Sequence, residues 1–463
     1  MEDLLNPLLL FKHKLWVKEY AYRMEKWFKG EKQAPIRIDA ELHRRCNLNC
    51  LMCARRASPY DLTEESKKIE MSTQKWVEIA RESGEMGVKV WNISGLGEPL
   101  CKPETLFSVM RTLKAYDVFG ELTTNGTLWE DKHIEETVRM GWDSVCISID
   151  APEASIHDAL RRVKGTFSKA TSTVRRFSKV KKHYRTNLPL LTINMVLNNR
   201  NYKTLPSMVK MTQELGADAL FVEPMVVFSE LGEKLKLTNE QIKELPAIIA
   251  EARDLAKSLG IVLDVTAISP AKEYDEKMIK NAGNMRKVLI EEARKYSDKI
   301  LSIPCYYPWF YLMIRADGSA IHCGEFKLME DNIRRKSLAD VWFGEVLEKV
   351  RKMFLQKDLP ECCEKCRPNV VEDMRIVRKS INEFRNVEFL QKKYIEFLSE
   401  IERLQRELRK SKMSSPICEQ CEYMKELERI KHSFSFRILE GISKKRIGRI
   451  IKNMLLRKVE KDE

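Results

Sequence analysis

Between residues 35 and 224, short runs rich in β-branched and aromatic residues alternate with longer stretches whose apolar positions recur every three or four residues. That alternation predicts a parallel sheet built from βα units. Strands are predicted over 36–42, 88–94, 119–124, 144–150, 190–197 and 218–223, then a helix over 239–259 and a short strand over 261–265. Ligands of such folds sit at the carboxyl ends of the strands, so the loop after each strand is where chemistry is expected.

The pattern changes near residue 303. Residues 309–315 and 319–323 read as a hairpin turned at Asp317-Gly318, a dipeptide that favours tight turns. From 387 to 408 apolar residues follow alternating spacings of three and four, a seam for a coiled coil, and so for a dimer, or for packing on another domain. Ser414, Ser415 and Pro416 break that helix. The tail beyond Lys431 reads as a basic amphipathic helix, which could touch a membrane surface or, as most such stripes do, pack on the protein. The chain is therefore expected to divide into an N-terminal helical segment (1–34), a parallel βα domain with connecting helices (35–302), a small cysteine-rich domain (303–369) and a helical, basic extension (370–463).

Composition narrows the class. With 43% apolar and 32% charged residues the 463-residue chain has the balance of a folded, soluble protein. Its short apolar patch over 8–11 is followed at once by lysines, which suits neither a secretion signal nor a spanning helix, so a cytoplasmic protein is expected. Twelve cysteines in that compartment point to metal rather than disulfides. The net charge of +14 is contributed heavily by 161–185 and 431–461, and neither shows an aromatic-interleaved nucleic-acid signature, so specific nucleic-acid binding is not expected.

Three of the cysteines, Cys46, Cys50 and Cys53, follow the first predicted strand as Cys-x-x-x-Cys-x-x-Cys. Three thiolates from one loop would leave one iron of a four-iron cluster open, as sites that perform chemistry require; zinc or three unrelated thiols are the plain alternatives. Behind the second strand stands Gly97-Glu98-Pro99, where backbone approaches a ligand closely beside a carboxylate suited to an ammonium group. Behind the third stands Thr124-Asn125-Gly126. The fourth ends in Ser148-Ile149-Asp150, whose two polar side chains share a face and could meet ribose hydroxyls or cap the next helix.

In this order, these motifs resemble the radical S-adenosylmethionine (SAM) superfamily over roughly residues 37–223. The resemblance implies an α/β fold, a partial (β/α)6 barrel, in which Cys46, Cys50 and Cys53 hold a [4Fe-4S] cluster whose open iron binds SAM. It also implies roles for SAM-binding residues: Gly97, Glu98 and Pro99 at the methionine ammonium, Asn125 on the neighbouring turn, and Ser148 and Asp150 near the ribose. Arg161 would pair with the methionine carboxylate, and Val196 would back the adenine. One departure is Met52, where the family often has an aromatic residue; a thioether can pack there instead. Residues 303–368, with Cys305, Trp309, Cys323, Asn332, Trp342, Arg351, Cys363 and Cys366, resemble the SPASM or twitch type of auxiliary-cluster domain. Four thiolates, Cys305, Cys323, Cys363 and Cys366, would close one auxiliary [4Fe-4S] cluster, with Cys362 spare or alternate and zinc the structural alternative.

The function this implies is reductive cleavage of SAM and hydrogen abstraction from a small hydroxylated metabolite or a peptide or protein side chain, with electrons from a donor such as a ferredoxin or flavodoxin. A non-catalytic iron–sulfur electron carrier would need no SAM pocket, and a zinc-binding scaffold would rely on the coiled coil and tail. Cys101 and Cys146 read as structural, and Cys418-x-x-Cys421 as half a zinc site, a redox pair or neither.

Overall fold

Six strands follow one another along the chain, each paired in parallel with the next: β1 (Arg37–Ala40), β2 (Val90–Ile93), β3 (Phe119–Thr124), β4 (Ser144–Ser148), β5 (Leu190–Leu197) and β6 (Ala219–Pro224). The computed structural model describes residues 14–54, 69–265, 284–323, 331–366 and 370–386 except 372, with the single positions 268, 399 and 403. The predicted seam over 387–408, apart from 399 and 403, the break at 414–416, Cys418, Cys421 and the basic tail lie outside the described residues.

The third and fifth strands fall on the residues the pattern predicts, and helix Asn239–Leu259 does so too, opened by a reciprocal Thr238–Gln241 cap and closed by Gly260 in the left-handed conformation. The first strand is shorter than predicted, yet single hydrogen bonds run on past each end, Ile36 N–H to Phe310 O and Glu41 N–H to Ile314 O. Strand β7 (Val262–Asp264) extends the sheet beyond β6.

The sheet does not stop at β1. Strand β8 (Tyr311–Ile314) pairs in parallel with it, and β9 (Ser319–Ile321) and β10 (Asp331–Asn332) follow antiparallel, so the described strands form one ten-stranded sheet in the order β10-β9-β8-β1-β2-β3-β4-β5-β6-β7. The predicted hairpin over 309–323 is thus spliced onto the barrel's first strand. Its first residues form a helical turn, Tyr307–Phe310, and its turn is Ala316-Asp317-Gly318, with Gly318 at φ 85°. A left-handed third residue is what closes a three-residue hairpin loop, and Arg315 and Ser319 pair across it.

Alternation in each strand sorts the side chains. Ile38, Trp91, Ile93, Leu122, Val145, Ile147, Leu191 and Ile193 join the main apolar core under the helices, where burial supplies most of the fold's stability. The positions between them face the inside of the curved sheet and are mixed, with several polar side chains buried there. There Arg37 Nε lies 2.7 Å from Asp39 Oδ1, Arg37 Nη1 lies 2.6 Å from Glu121 Oε2, and Tyr311 from β8 donates to Asp39 Oδ2 at 3.0 Å. Burial pushes the Glu121 carboxyl up to about 7 against the opposing pull of Arg37.

Candidate active site

The residues behind strands β1 to β5 meet at one end of the sheet. The Cys46–Cys53 loop leaves β1, and the turn after β2 comes against its root. An added Cβ at Gly97 would stand 2.1 Å from the backbone oxygen of His43, so only glycine lets the two chains pass so closely. Two further links fix this approach: Glu98 N–H donates to Arg45 O at 2.7 Å, and Glu41 Oε2 accepts from Leu96 N–H at 3.1 Å. The buried His43 joins both sides, accepting Arg45 N–H at Nδ1 and reaching Pro99 O from Nε2 at 3.3 Å.

Glu98 then ties the β2 turn to the β3 turn. Its carboxylate accepts Thr124 Oγ1 and Asn125 N–H, each at 2.6 Å. Only 2% of the residue is exposed, and burial pushes its carboxyl up to about 7 despite those donors. From the same turn Asn125 Nδ2 faces Cys46 Sγ at 3.9 Å and donates to Asn47 Oδ1 at 2.9 Å.

A second network comes from β4 and β5. Asp150 is fully buried, with Oδ2 2.7 Å from Arg161 Nε and Oδ1 accepting Val196 N–H at 3.1 Å. Held this way, Arg161 points Nη1 at Cys50 Sγ, 3.8 Å away, and Leu51 N–H donates to Leu160 O at 2.9 Å. Asn201 Nδ2 donates to both Asp150 O and Val196 O. Ser148 stands beside Asn194 in register and makes no side-chain hydrogen bond among the described residues. Its hydroxyl is uncommitted, whereas both Asp150 oxygens are engaged within the protein.

All eight predicted SAM-site residues therefore lie at the carboxyl end of the sheet. The structure joins Glu98 and Asn125 to the Cys46 side of the loop, and Asp150, Arg161 and Val196 to its Cys50 side. Sequence reading missed His43, Asn47 and Asn201. The run Asn198-Asn199-Arg200-Asn201 directly after β5 was a usable signal for the last, because such residues cap and close turns.

The second cysteine group also converges. Cys305 is buried, accepts the Tyr307 backbone N–H, and has Cys366, Cys323 and Cys363 as its thiol neighbours; burial pushes the Cys305 thiol up, and those neighbours add to the rise. Cys362 hydrogen-bonds Cys363. Cys146 lies buried within β4, and Cys101 ends a short helical turn after Glu98.

Among the described residues no three Cys, His, Asp or Glu side chains converge to the spacing of a single-ion site. A four-iron cube takes its thiolates further apart than one ion does, so the fit is judged on what surrounds the sulfurs. Backbone and side-chain N–H groups of Leu48, Asn125 and Arg161 face Cys46 and Cys50, the donors that a thiolate bound to iron accepts. The residues fit the group.

The family profile described as the radical SAM superfamily matches residues 41–211, and the one described as an iron–sulfur cluster-binding domain, SPASM, matches 305–367. The chain carries a radical SAM domain over residues 41–211 and a SPASM domain over residues 305–367. It is an enzyme, and its cofactors are a [4Fe-4S] cluster, SAM and an auxiliary iron–sulfur centre. Similar proteins include the PqqA peptide cyclase of Granulibacter bethesdensis, 24% identical over 344 residues, 72% of this chain and 80% of that one. The AdoMet-dependent heme synthase of Methanosarcina barkeri is 25% identical over 334 residues, 72% of this chain and 88% of that one. Among solved structures, Streptococcus suis SuiB aligns with TM-score 0.51 at 18% identity, covering 72% of this chain and 71% of that one, a likeness of fold.

Proposed function

We propose that this enzyme modifies a peptide or protein side chain, with Cys46, Cys50 and Cys53 holding the SAM cluster and Cys305, Cys323, Cys363 and Cys366 the auxiliary one. When bound, the first cluster and SAM supply a 5′-deoxyadenosyl radical that takes a hydrogen atom from the substrate. The remaining work belongs to the chain. Arg161, locked by Asp150, presents a guanidinium beside Cys50 for the methionine carboxylate. Backbone carbonyls of the Gly97 turn receive the ammonium, with Glu98 as the buried charge behind them. Ser148 offers its hydroxyl to the ribose, and Val196 backs the adenine. The chain's four working regions would be 1–34, 35–302, 303–369 and 370–463, the protein would work in the cytoplasm, and a ferredoxin- or flavodoxin-type donor would supply electrons.

The observation that carries the SAM reading is the junction of two buried networks, Glu98–Asn125 and Asp150–Arg161, on two sulfurs of one loop. The peptide reading is supported by the several similar cyclases named for a peptide substrate. The heme synthase at comparable identity supports a second reading, a small-molecule substrate. Anaerobically reconstituted protein given SAM and dithionite should form 5′-deoxyadenosine, and the Cys46→Ala, Cys50→Ala, Cys53→Ala variant should form none. A folded, cluster-loaded parent without product would defeat the catalytic reading. Acceleration by a peptide rather than by a tetrapyrrole would then decide between the two substrates.

A further inference from the structure

Beyond the matched cluster-binding segment the chain returns to the Cys305 arm. Arg378 is 1% exposed and donates from Nε to Leu301 O at 2.9 Å and from Nη2 to Ile303 O at 2.7 Å. Its guanidinium lies over the rings of Tyr296 and Tyr306, 5.4 and 5.7 Å from their centroids. One turn earlier, Met374 Sδ accepts the Tyr306 N–H at 3.1 Å, and Tyr306 Oη in turn donates to Ile300 O at 3.0 Å. Every one of these bonds ends within five residues of Cys305.

On the other side of Cys305, Arg351 donates to Pro308 O and Trp342 O while lying between the rings of Trp27 and Trp342. Arg351 has Glu348 Oε2 at 3.5 Å, but Arg378 makes no ion pair among the described residues. Among the described residues this buried guanidinium is held by backbone carbonyls and the two tyrosines. Carboxylates also face this arm: Asp298 accepts Ile300 and Leu301 N–H, and Asp373 is buried near Tyr307. Arg378 and Asp298 both act on the charge at Tyr306, with opposite sign.

We propose that Arg378, outside both matched segments, is a positioning and charge-setting residue: it clamps the Cys305 arm and raises the reduction potential of the auxiliary centre. The inference rests on the reading of Cys305, Cys323, Cys363 and Cys366 as ligands. Uptake of one electron adds one negative charge at the site with no bond made or broken, and a nearby cation in low dielectric favours the more negative state.

The test uses the full chain carrying Cys46→Ala, Cys50→Ala and Cys53→Ala, so that the auxiliary site alone gives an iron–sulfur signal, with the midpoint followed by EPR-monitored redox titration. Arg378→Gln should shift the midpoint to more negative potential at the parent's iron content, and Arg378→Lys, which keeps the charge, should stay near the parent. Alkylation of Cys305 in the metal-free protein should be several-fold faster in Arg378→Gln than in the parent. A fully loaded Arg378→Gln protein with an unchanged midpoint overturns the proposal. Equal shifts in the Gln and Lys variants also overturn it, since geometry rather than charge would then be responsible. Should the Gln variant hold no cluster, the Lys variant decides: parental midpoint upholds the proposal, and loss of the cluster there too refutes it. A parent that binds no cluster in this background defeats the ligand reading itself, and is told apart because the fault is already present before Arg378 is touched.

Discussion

Arg161 carries two demands that a double substitution separates. It is the guanidinium proposed for the SAM carboxylate, and it is the partner of a carboxylate with no exposure at all. Arg161→Ala strands Asp150, and breaking a buried pair from one side costs about 3–5 kcal/mol. Thermal unfolding of the metal-free protein should show that loss, and the double variant Arg161→Ala, Asp150→Asn should recover much of the stability without recovering SAM binding. Next to this pair His157 accepts the Asp150 N–H at Nδ1, and burial, then Arg161, hold its imidazole down at about 4. The unfolded chain takes up this proton below the ordinary histidine value of 6.5 while the folded one waits until about 4. Stability is therefore lost as pH falls from 6.5 to 4 and levels below that. Urea melts of His157→Phe against the parent across that window should show the parent's slope reduced.

Glu98 titrates in the opposite sense, because its carboxyl is raised to about 7 rather than lowered. Its neutral form is favoured in the folded protein below that value, and the ionised form that suits a cationic ligand grows in as pH rises through it. SAM carries an ammonium and a sulfonium, so its affinity for the loaded enzyme should rise from pH 6 to 8, with proton release on binding. Calorimetry in two buffers of different ionisation enthalpy reads that release, and Glu98→Gln should abolish both it and the pH slope. That the three cysteines and Glu98 stand at the carboxyl end of the sheet was legible because each lies in a short motif behind a predicted strand. His43, Asn47 and the Asp150–Arg161 geometry were not, since each depends on which loops the fold brings together.

Among the elements, legibility followed locality. Strand β5 alternates cleanly between an apolar outer face and a mixed inner one, and the bounds of β3 and β5 could both be read. The splice of β8 onto β1 could not, because it joins residues about 270 positions apart and leaves no local mark. The turn after β2 shows the same limit in reverse: Gly97 was visible as a glycine, but the reason for it is the His43 backbone oxygen. Gly97→Ala would force two backbones apart, and the cluster loop with them. The protein should still fold, since the outer core is untouched, while iron at the SAM site and 5′-deoxyadenosine formation fall by well over tenfold. Far-UV circular dichroism with iron and sulfide analysis separates those outcomes.

At the scale of the barrel with its appended hairpin, the shared sheet means that the SAM loop and the auxiliary strands stand or fall together. Strand β1 is flanked by β2 on one side and β8 on the other, and Arg44, at the root of the cluster loop, reaches Asp317 in the hairpin turn at 3.3 Å while holding Glu41 at 2.9 Å. Met71 N–H adds a bond to Ala316 O. A chain ending at residue 302 would bare the whole hydrogen-bonding edge of β1 and leave Asp39 without Tyr311, and an open, flat edge of that kind invites pairing between molecules. The truncated protein should accordingly be expressed largely insoluble and be cut rapidly by protease near residue 45. A chain ending after residue 386 keeps the ten-stranded sheet and Arg378, and should remain soluble and form 5′-deoxyadenosine. Were the 302-residue piece to prove a soluble, protease-resistant barrel able to cleave SAM, the sheet would have to be regarded as two independently folding parts that touch at β1, and the coupling through Arg44 and Asp317 would carry no weight.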